Sequence, residues 1–110
     1  MQASCKGFNP DYSENAPTLE QLSAQKGAVL IEFGAPWCGH CQMASSVVQQ
    51  VLNKSTDLLH IKIYDGKGKP LGRAFKVKLW PTLILLRDGE EIKRIVRPTS
   101  EEDVCQLLID

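Results

Sequence analysis

The fold is decided by one stretch of the chain, AVLIEFGAPWCGHC at residues 28–41. Its first half is an almost continuous apolar run, which is typical of a central strand covered on both faces. Two cysteines, Cys38 and Cys41, follow the run and precede a segment with the apolar spacing of a helix. At a helix N-terminus the free N–H groups and aligned peptide dipoles favour a thiolate, so we expect a lowered pKa for Cys38. Cys41, one turn later, is placed to attack any mixed disulfide that Cys38 forms, which predicts a two-electron redox site.

The remaining pattern predicts one α/β domain at residues 18–110 after an N-terminal arm at residues 1–17, where a short strand near Phe8 or Tyr12 is an option. Helices are expected at about 18–27, 38–53 and 71–77 and from residue 100 onward, and strands at about 28–33, 58–64, 82–87 and 90–96. This order implies a mixed sheet with a right-handed parallel crossover and helices on both faces.

Three segments together resemble the thioredoxin superfamily: residues 30–41, Trp80-Pro81-Thr82 and the hairpin turn Asp88-Gly89. A Cys-x-x-Cys pair alone also occurs in zinc sites, but its combination with the preceding strand and the later Trp-Pro-Thr is specific. The resemblance runs in order over residues 19–109. It implies a thioredoxin fold, with a central mixed sheet of four to five strands flanked by helices on both faces. It also implies a cis Pro81 packed against the active-site sulfurs.

The composition argues against two classes of partner. The 110 residues contain 13 basic and 13 acidic side chains, so no charge excess points to nucleic acid or to a membrane surface. No apolar stretch approaches the ~20 residues of a membrane helix. The first residues lack the apolar segment of a secretory signal, so we expect a cytoplasmic protein. A periplasmic or exported protein whose signal has been removed is the alternative.

Outside the Cys-x-x-Cys pair, the two other cysteines are expected to be free thiols in a reducing compartment. Cys105 is predicted to be a small core residue of the last helix, and Cys5 to lie in a mobile tail. The alternative is a structural zinc site, which would need two further ligands from Cys5, Cys105, His40 or His60. None of these has ligand spacing, so we expect no metal.

Glu32 is the one charged residue inside the apolar run, and burial is expected to raise its pKa. The resemblance implies that this buried acid takes the proton from Cys41. It also implies that Lys62 lies near the acid and moderates the shift. The alternatives are an edge position at which Glu32 faces water and a solvated Lys62.

His40 stands between the cysteines, where cytosolic thioredoxins usually have proline. The Gly-His pair is instead similar to that of protein disulfide isomerases. A protonated imidazole beside Cys38 would stabilise its thiolate, which favours the dithiol and makes the disulfide more oxidising. A solvated histidine without effect is the alternative.

The resemblance also assigns a substrate groove. Trp37 is expected to cover the disulfide as an apolar lid. Pro81 is expected to expose the backbone of Trp80, which can pair with an extended substrate segment. Arg97 falls near a position usually held by glycine, which suggests a selective groove that favours acidic partners. An inward-packed Trp80 is the alternative.

The sequence therefore predicts a thiol–disulfide oxidoreductase that reduces protein disulfides through Cys38 and Cys41. No cofactor is expected beyond this redox-active disulfide. The expected partners are disulfide-containing proteins and a thioredoxin-reductase-like electron donor, with no nucleic acid or membrane, and a monomer is expected. A disulfide oxidase or isomerase in an oxidising compartment is the alternative enzyme, and a non-enzymatic binding module of the same fold is the alternative from another class.

Overall fold

The structure, a computed structural model, describes residues 4–66 and 69–109. Within these residues the elements follow in the order β1 (Ser4–Lys6), α1 (Leu19–Ala24), β2 (Ala28–Gly34), α2 (Gly39–Leu52), β3 (Leu59–Tyr64), α3 (Pro70–Ala74), β4 (Thr82–Arg87), β5 (Glu90–Val96) and α4 (Glu101–Leu108). Residues 1–3 of the predicted arm, residues 67–68 between β3 and α3, and residue 110 lie outside the described residues.

The described strands form one mixed sheet in the order β1-β3-β2-β4-β5. β2 is parallel to β3, and the three other pairings are antiparallel. The apolar run at residues 28–33 is thus the centre of the sheet, as predicted. The α/β class, the helices and the strands from residue 18 onward are confirmed, with α1 and α3 shorter than expected.

Alternation along the strands sends successive side chains to opposite faces, and each face carries its own apolar cluster. On one face, α1 and α3 pack through Leu22 and Leu71. On the other face, α2 and α4 pack through Val48, Leu52 and Leu107. The longest described helix, α2, has 14 residues, and no described helix is long and apolar enough to cross a membrane.

Residues 4–17 pack onto the sheet. Their regular strand is β1, which pairs with β3 at the edge, earlier than the predicted position near Phe8 or Tyr12. A second, isolated bridge joins Ser13 to Ile63 of β3. Both contacts bring the arm beside the strand that neighbours β2.

The two outlying cysteines differ from the prediction. Cys5 lies in β1 rather than in a tail, and its side chain is exposed. Cys105 is exposed as well, because Val104 and Leu107 supply the buried face of α4 and Cys105 lies beside that stripe. The expectation that Cys105 is a core residue is therefore wrong.

The hairpin between β4 and β5 is anchored on α1 through Gly89. Gly89 has φ +85°, and a Cβ there would lie 2.4 Å from the backbone oxygen of Ser23. Gly27 has a similar φ of +78°, but a Cβ there would meet nothing within 4 Å.

Gly89→Ala should destabilise the protein by more than Gly27→Ala does. Both substitutions place a Cβ at positive φ, which costs roughly 1–2 kcal/mol. Only Gly89→Ala adds an overlap with backbone. Urea unfolding of the two variants measures the difference, and equal losses in the free energy of unfolding would contradict the packing of the hairpin on α1.

Candidate active site

Cys38 and Cys41 lie where the central strand β2 leads into α2. Cys38 is the N-cap residue of α2, and its Sγ accepts a hydrogen bond of 3.3 Å from the Cys41 N–H. The Cys38 side chain is partly exposed, whereas Cys41 is only 1% exposed, and both are free thiols. One sulfur therefore faces solvent at the positive end of a helix, where negative charge is stabilised, and the other is enclosed by protein.

Cys41 needs a base before it can act as a nucleophile. Burial raises the pKa of Cys41 to about 11, and the hydrogen bond with Cys38 acts in the same direction. A hydrogen bond from the Ala35 backbone and the nearby Tyr12 hydroxyl oppose this increase without cancelling it. Each unit between pH and pKa is a tenfold change, so the Cys41 thiolate is scarce at neutral pH, on the order of one molecule in 10⁴.

Glu32 lies on the sheet face that α2 covers. Its side chain is 1% exposed on a central strand, so the alternative of an edge position facing water is wrong. The Tyr12 hydroxyl donates to Glu32 Oε2 at 2.5 Å, and His60 Nε2 lies 2.9 Å from Glu32 Oε1. Each carboxylate oxygen therefore has a hydrogen-bond donor.

The expectation of a raised pKa for Glu32 is also wrong. Burial acts in that direction, but the hydrogen bond and electrostatic attraction of His60, the charge of Lys62 and the hydrogen bond from Tyr12 outweigh it. They hold the pKa of Glu32 below its ordinary value of 4.5. Burial removes the water that would stabilise the charged carboxyl, but hydrogen-bond donors from residues distant in the sequence replace this water. Glu32 is consequently a carboxylate at neutral pH and can accept a proton.

His60 is a site residue that the sequence analysis did not assign. Its side chain is fully buried, and its Nδ1 accepts a 3.0 Å hydrogen bond from the Asn9 N–H. A ring nitrogen that accepts a bond carries no proton, so the proton of His60 sits on Nε2 and is donated to Glu32. The sequence did contain a sign of this role, because His60 and Lys62 are two residues apart in β3 and therefore lie on the same face of the sheet.

Lys62 lies directly across from Glu32 in the parallel pairing of β2 and β3. It is 2% exposed, so the solvated alternative is wrong. Its Nζ donates to the Pro10 carbonyl at 3.1 Å and lies 4.4 Å from the centroid of the Tyr12 ring. Lys62 thus acts on Glu32 through its charge, while Tyr12 and His60 make the direct contacts.

Tyr12 is the second residue that the sequence analysis did not place in the site. A Cβ on Gly34 would lie 2.6 Å from the Tyr12 hydroxyl oxygen and 2.7 Å from Cys41 Sγ. The hydroxyl and the sulfur are therefore close to the same position above Gly34. The arm that carries Tyr12 lacks periodicity, and its sequence gives no sign that it reaches β2.

The partly exposed rim of the site is aromatic. Trp37 is 65% exposed, and its ring meets Trp80 edge-on at a centroid distance of 5.4 Å. The Trp80 ring is half-buried, and its Nε1 donates to Asp65 at 2.9 Å. Trp80 therefore borders the opening beside Cys38 and is not packed fully inward.

The Trp80–Pro81 peptide bond is cis, and Arg97 packs against its backbone. The Arg97 N–H donates to the Pro81 carbonyl at 2.9 Å, and its Nε donates to the Trp80 carbonyl at 2.8 Å. Arg97 has φ +54°, a conformation that favours glycine. The side chain of Arg97 thus covers part of the backbone that the sequence analysis assigned to substrate.

His40 lies in the first turn of α2, where its side chain is exposed. The zinc alternative requires further ligands near the cysteine pair. Across residues 4–66 and 69–109, no group of three or more His, Cys, Asp or Glu side chains is arranged to hold a metal ion.

Similarity to known proteins agrees with this geometry. Residues 18–110 match the family model described as Thioredoxin. The thioredoxin of Mycobacterium bovis is 41% identical over 90 residues, which cover 81% of this chain and 77% of the relative. Thioredoxin 2 from Pseudomonas aeruginosa PAO1, solved in its reduced form, aligns with a TM-score of 0.77 and 46% identity over 87% of this chain and 93% of that chain.

A third relative is longer. The bifunctional thioredoxin reductase/thioredoxin of Mycobacterium leprae is 37% identical over 105 residues, 94% of this chain but 23% of the relative. The match over residues 18–110, the shared fold and the paired thiols show that the chain belongs to the thioredoxin family of protein disulfide oxidoreductases.

Proposed function

We propose that the chain reduces protein disulfides, with Cys38 as the attacking sulfur, Cys41 as the resolving sulfur and Glu32 as the final acceptor of the Cys41 proton. The observation that carries the proposal is the contrast between a partly exposed thiol at the N-cap of α2 and a buried thiol one turn later, which shares Tyr12 as a neighbour with the ionised carboxylate of Glu32.

The reaction runs in two exchanges. The Cys38 thiolate attacks one sulfur of the substrate disulfide, forms a mixed disulfide with it and releases the other as a thiolate. Cys41 then loses its proton and attacks Cys38 Sγ, which forms the Cys38–Cys41 disulfide and releases the second substrate thiolate. The substrate gains two electrons, and the two sulfurs of the protein supply them without an organic cofactor.

Formation of the mixed disulfide also prepares Cys41 for its step. A hydrogen bond with Cys38 is one cause of the raised pKa of Cys41. Once Cys38 is bonded to substrate it has neither a thiol proton nor a negative charge, so this cause weakens. The proton of Cys41 is therefore removed more easily after substrate has bound.

The groove favours acidic substrate segments. A pocket of about 300 Å³ beside Trp80 is lined by Lys69, Arg73 and Lys78, together with Asp65. The Asp65 carboxylate already accepts from Trp80, and Lys69 pairs with Glu14 at 3.8 Å, which leaves Arg73 and Lys78 to meet a partner. Arg97, on the backbone before Pro81, adds a further positive charge at the rim.

A thioredoxin-reductase-like protein is the proposed electron donor. The name of the relative from Mycobacterium leprae, a bifunctional thioredoxin reductase/thioredoxin, supports this pairing. The chain is proposed to work as a monomer in the cytoplasm.

Cys38→Ser should abolish reduction of a protein disulfide such as that of insulin, because no other described thiol occupies a helix N-cap. Cys41→Ser should instead accumulate a stable mixed disulfide through Cys38, since the resolving sulfur is gone. Turbidity of reduced insulin and mass spectrometry of the adduct measure the two outcomes. Partner binding that survives in both variants, with no reduction by the wild type, would favour a binding module.

His40→Pro should lower the reduction potential of the Cys38–Cys41 pair. A protonated imidazole near Cys38 would stabilise the dithiol form, so its removal should make the dithiol the stronger reductant. Equilibration with glutathione buffers measures the potential, and His40→Gln separates the loss of the cation from the introduction of proline. An unchanged potential in both variants would exclude His40 from redox tuning and remove the main support for the oxidase or isomerase alternative.

A further inference from the structure

The Tyr12 hydroxyl lies between the two groups that must exchange a proton. Its oxygen is 2.5 Å from Glu32 Oε2, a length typical of a strong bond from a hydroxyl to a carboxylate. The same oxygen and Cys41 Sγ both lie within 2.7 Å of one point beside Gly34. The hydroxyl is also close enough to favour the thiolate of Cys41.

Tyr12 is held in this position by contacts on both sides. The next residue, Ser13, donates its N–H to the Lys62 carbonyl at 3.0 Å and accepts from the Tyr64 N–H at 2.8 Å. The Lys62 ammonium lies over the Tyr12 ring. The phenol is therefore fixed relative to β3, and through β3 relative to Glu32.

The other carboxylate oxygen of Glu32 is already bonded to His60. Oε1 accepts from His60 Nε2, and the opposite ring nitrogen of His60 is occupied by the Asn9 N–H. A proton reaching Glu32 from the Cys41 side arrives at Oε2, the oxygen that Tyr12 contacts.

We propose that Tyr12 relays the proton from Cys41 to Glu32 when the mixed disulfide is resolved. The Cys41 thiol gives its proton to the Tyr12 oxygen while the Tyr12 hydroxyl proton moves to Glu32 Oε2. The products are a Cys41 thiolate, an unchanged neutral phenol and a protonated Glu32. The step deepens the proposed function and rests on it, since it supplies the nucleophile of the second exchange.

The surroundings agree with a phenol that passes a proton without holding a charge. Burial and the negative charge of Glu32 raise the pKa of Tyr12 far above its usual range, so a phenolate does not persist. The ionisable groups that face the hydroxyl are Glu32 from β2, Cys41 from α2 and Lys62 from β3, with His60 behind Glu32.

Water is the competing proton acceptor. A pocket of about 330 Å³ opens beside Tyr12, and Cys41, Ser45, Lys62 and Asp11 are among the residues that line it. A protein without the Tyr12 hydroxyl must send the Cys41 proton into this pocket. The relay is therefore tested by removing the hydroxyl and following the second exchange alone.

The second exchange can be isolated in a Cys5→Ser, Cys105→Ser background, which removes the two exposed thiols outside the Cys38–Cys41 pair. In this background 4,4′-dithiodipyridine labels Cys38 in mildly acidic buffer while Cys41 stays protonated. A stopped-flow jump to neutral pH then releases thiopyridone as Cys41 attacks Cys38. Tyr12→Phe keeps the ring and its contact with Lys62 but removes the hydroxyl. We expect this release to slow by about 100-fold, at the low end of the usual contribution of general acid–base catalysis.

The pH dependence separates a relay from a structural effect. As the pH rises toward the raised pKa of Cys41, hydroxide removes the Cys41 proton directly, so the rates of Tyr12→Phe and wild type should converge. Equal rates at neutral pH would overturn the relay, and so would a slowing by the same factor at every pH. Tyr64→Phe, which alters the one other tyrosine of the chain, is the matched control and should match wild type.

Gly34→Ala tests the approach of the Tyr12 hydroxyl to Cys41 while every titratable group is retained. This variant replaces Tyr12→Phe if Tyr12→Phe does not fold. Its methyl group would wedge between the Tyr12 hydroxyl and Cys41 Sγ. We expect slow release at neutral pH and recovery at high pH, and an unaffected rate would overturn the relay. Should the wild type itself release no second thiopyridone, the dithiol function fails, which is a different result from failure of the relay.

Discussion

The site depends on one buried charge, the carboxylate of Glu32 beneath α2. An ion removed from water costs several kcal/mol unless hydrogen bonds replace its hydration. Here the Tyr12 hydroxyl and His60 Nε2 each donate to one oxygen, and Lys62 adds positive charge nearby. Tyr12 and the Asn9 that orients His60 both come from the arm at residues 4–17. The arm is consequently part of the chemistry as well as of the fold.

One face of the sheet carries an apolar core, and the other face also carries the ionisable residues of the site. The face under α1 and α3 carries a continuous apolar cluster. The buried ionisable residues Glu32, His60 and Lys62 all occupy the opposite face, under the helix that begins with the two cysteines. Because strand side chains alternate, β2 contributes Ile31 and Phe33 to one face and Glu32 to the other. The strand β2 thereby contributes to the apolar core on one face and places a base on the face under α2.

Much of this architecture follows from sequence alone, because hydrophobic periodicity and turn-forming residues act locally. Neighbouring residues are enough to predict three features: the apolar strand β2, the helix start at Cys38 and the Asp88-Gly89 hairpin. The predictions from sequence were wrong or incomplete where a residue's position or pKa depends on contacts with residues distant along the chain. Tyr12 meets Glu32 only after β3 has docked, and the sign of the Glu32 pKa shift follows from such donors. Cys105 was misplaced for a simpler reason, since it borders the buried stripe of α4 without belonging to it.

Titration of the Glu32 side chain tests the central claim most directly. Carbon NMR of the reduced protein, labelled at glutamate carboxyl carbons and compared with Glu32→Gln for assignment, follows its ionisation. The account predicts a carboxylate at neutral pH that is protonated only below the ordinary value of 4.5. The stability that this charge provides should therefore be present above that value and be lost as the pH falls through the lower folded-state pKa. A Glu32 carboxyl that is still protonated at neutral pH would contradict the account.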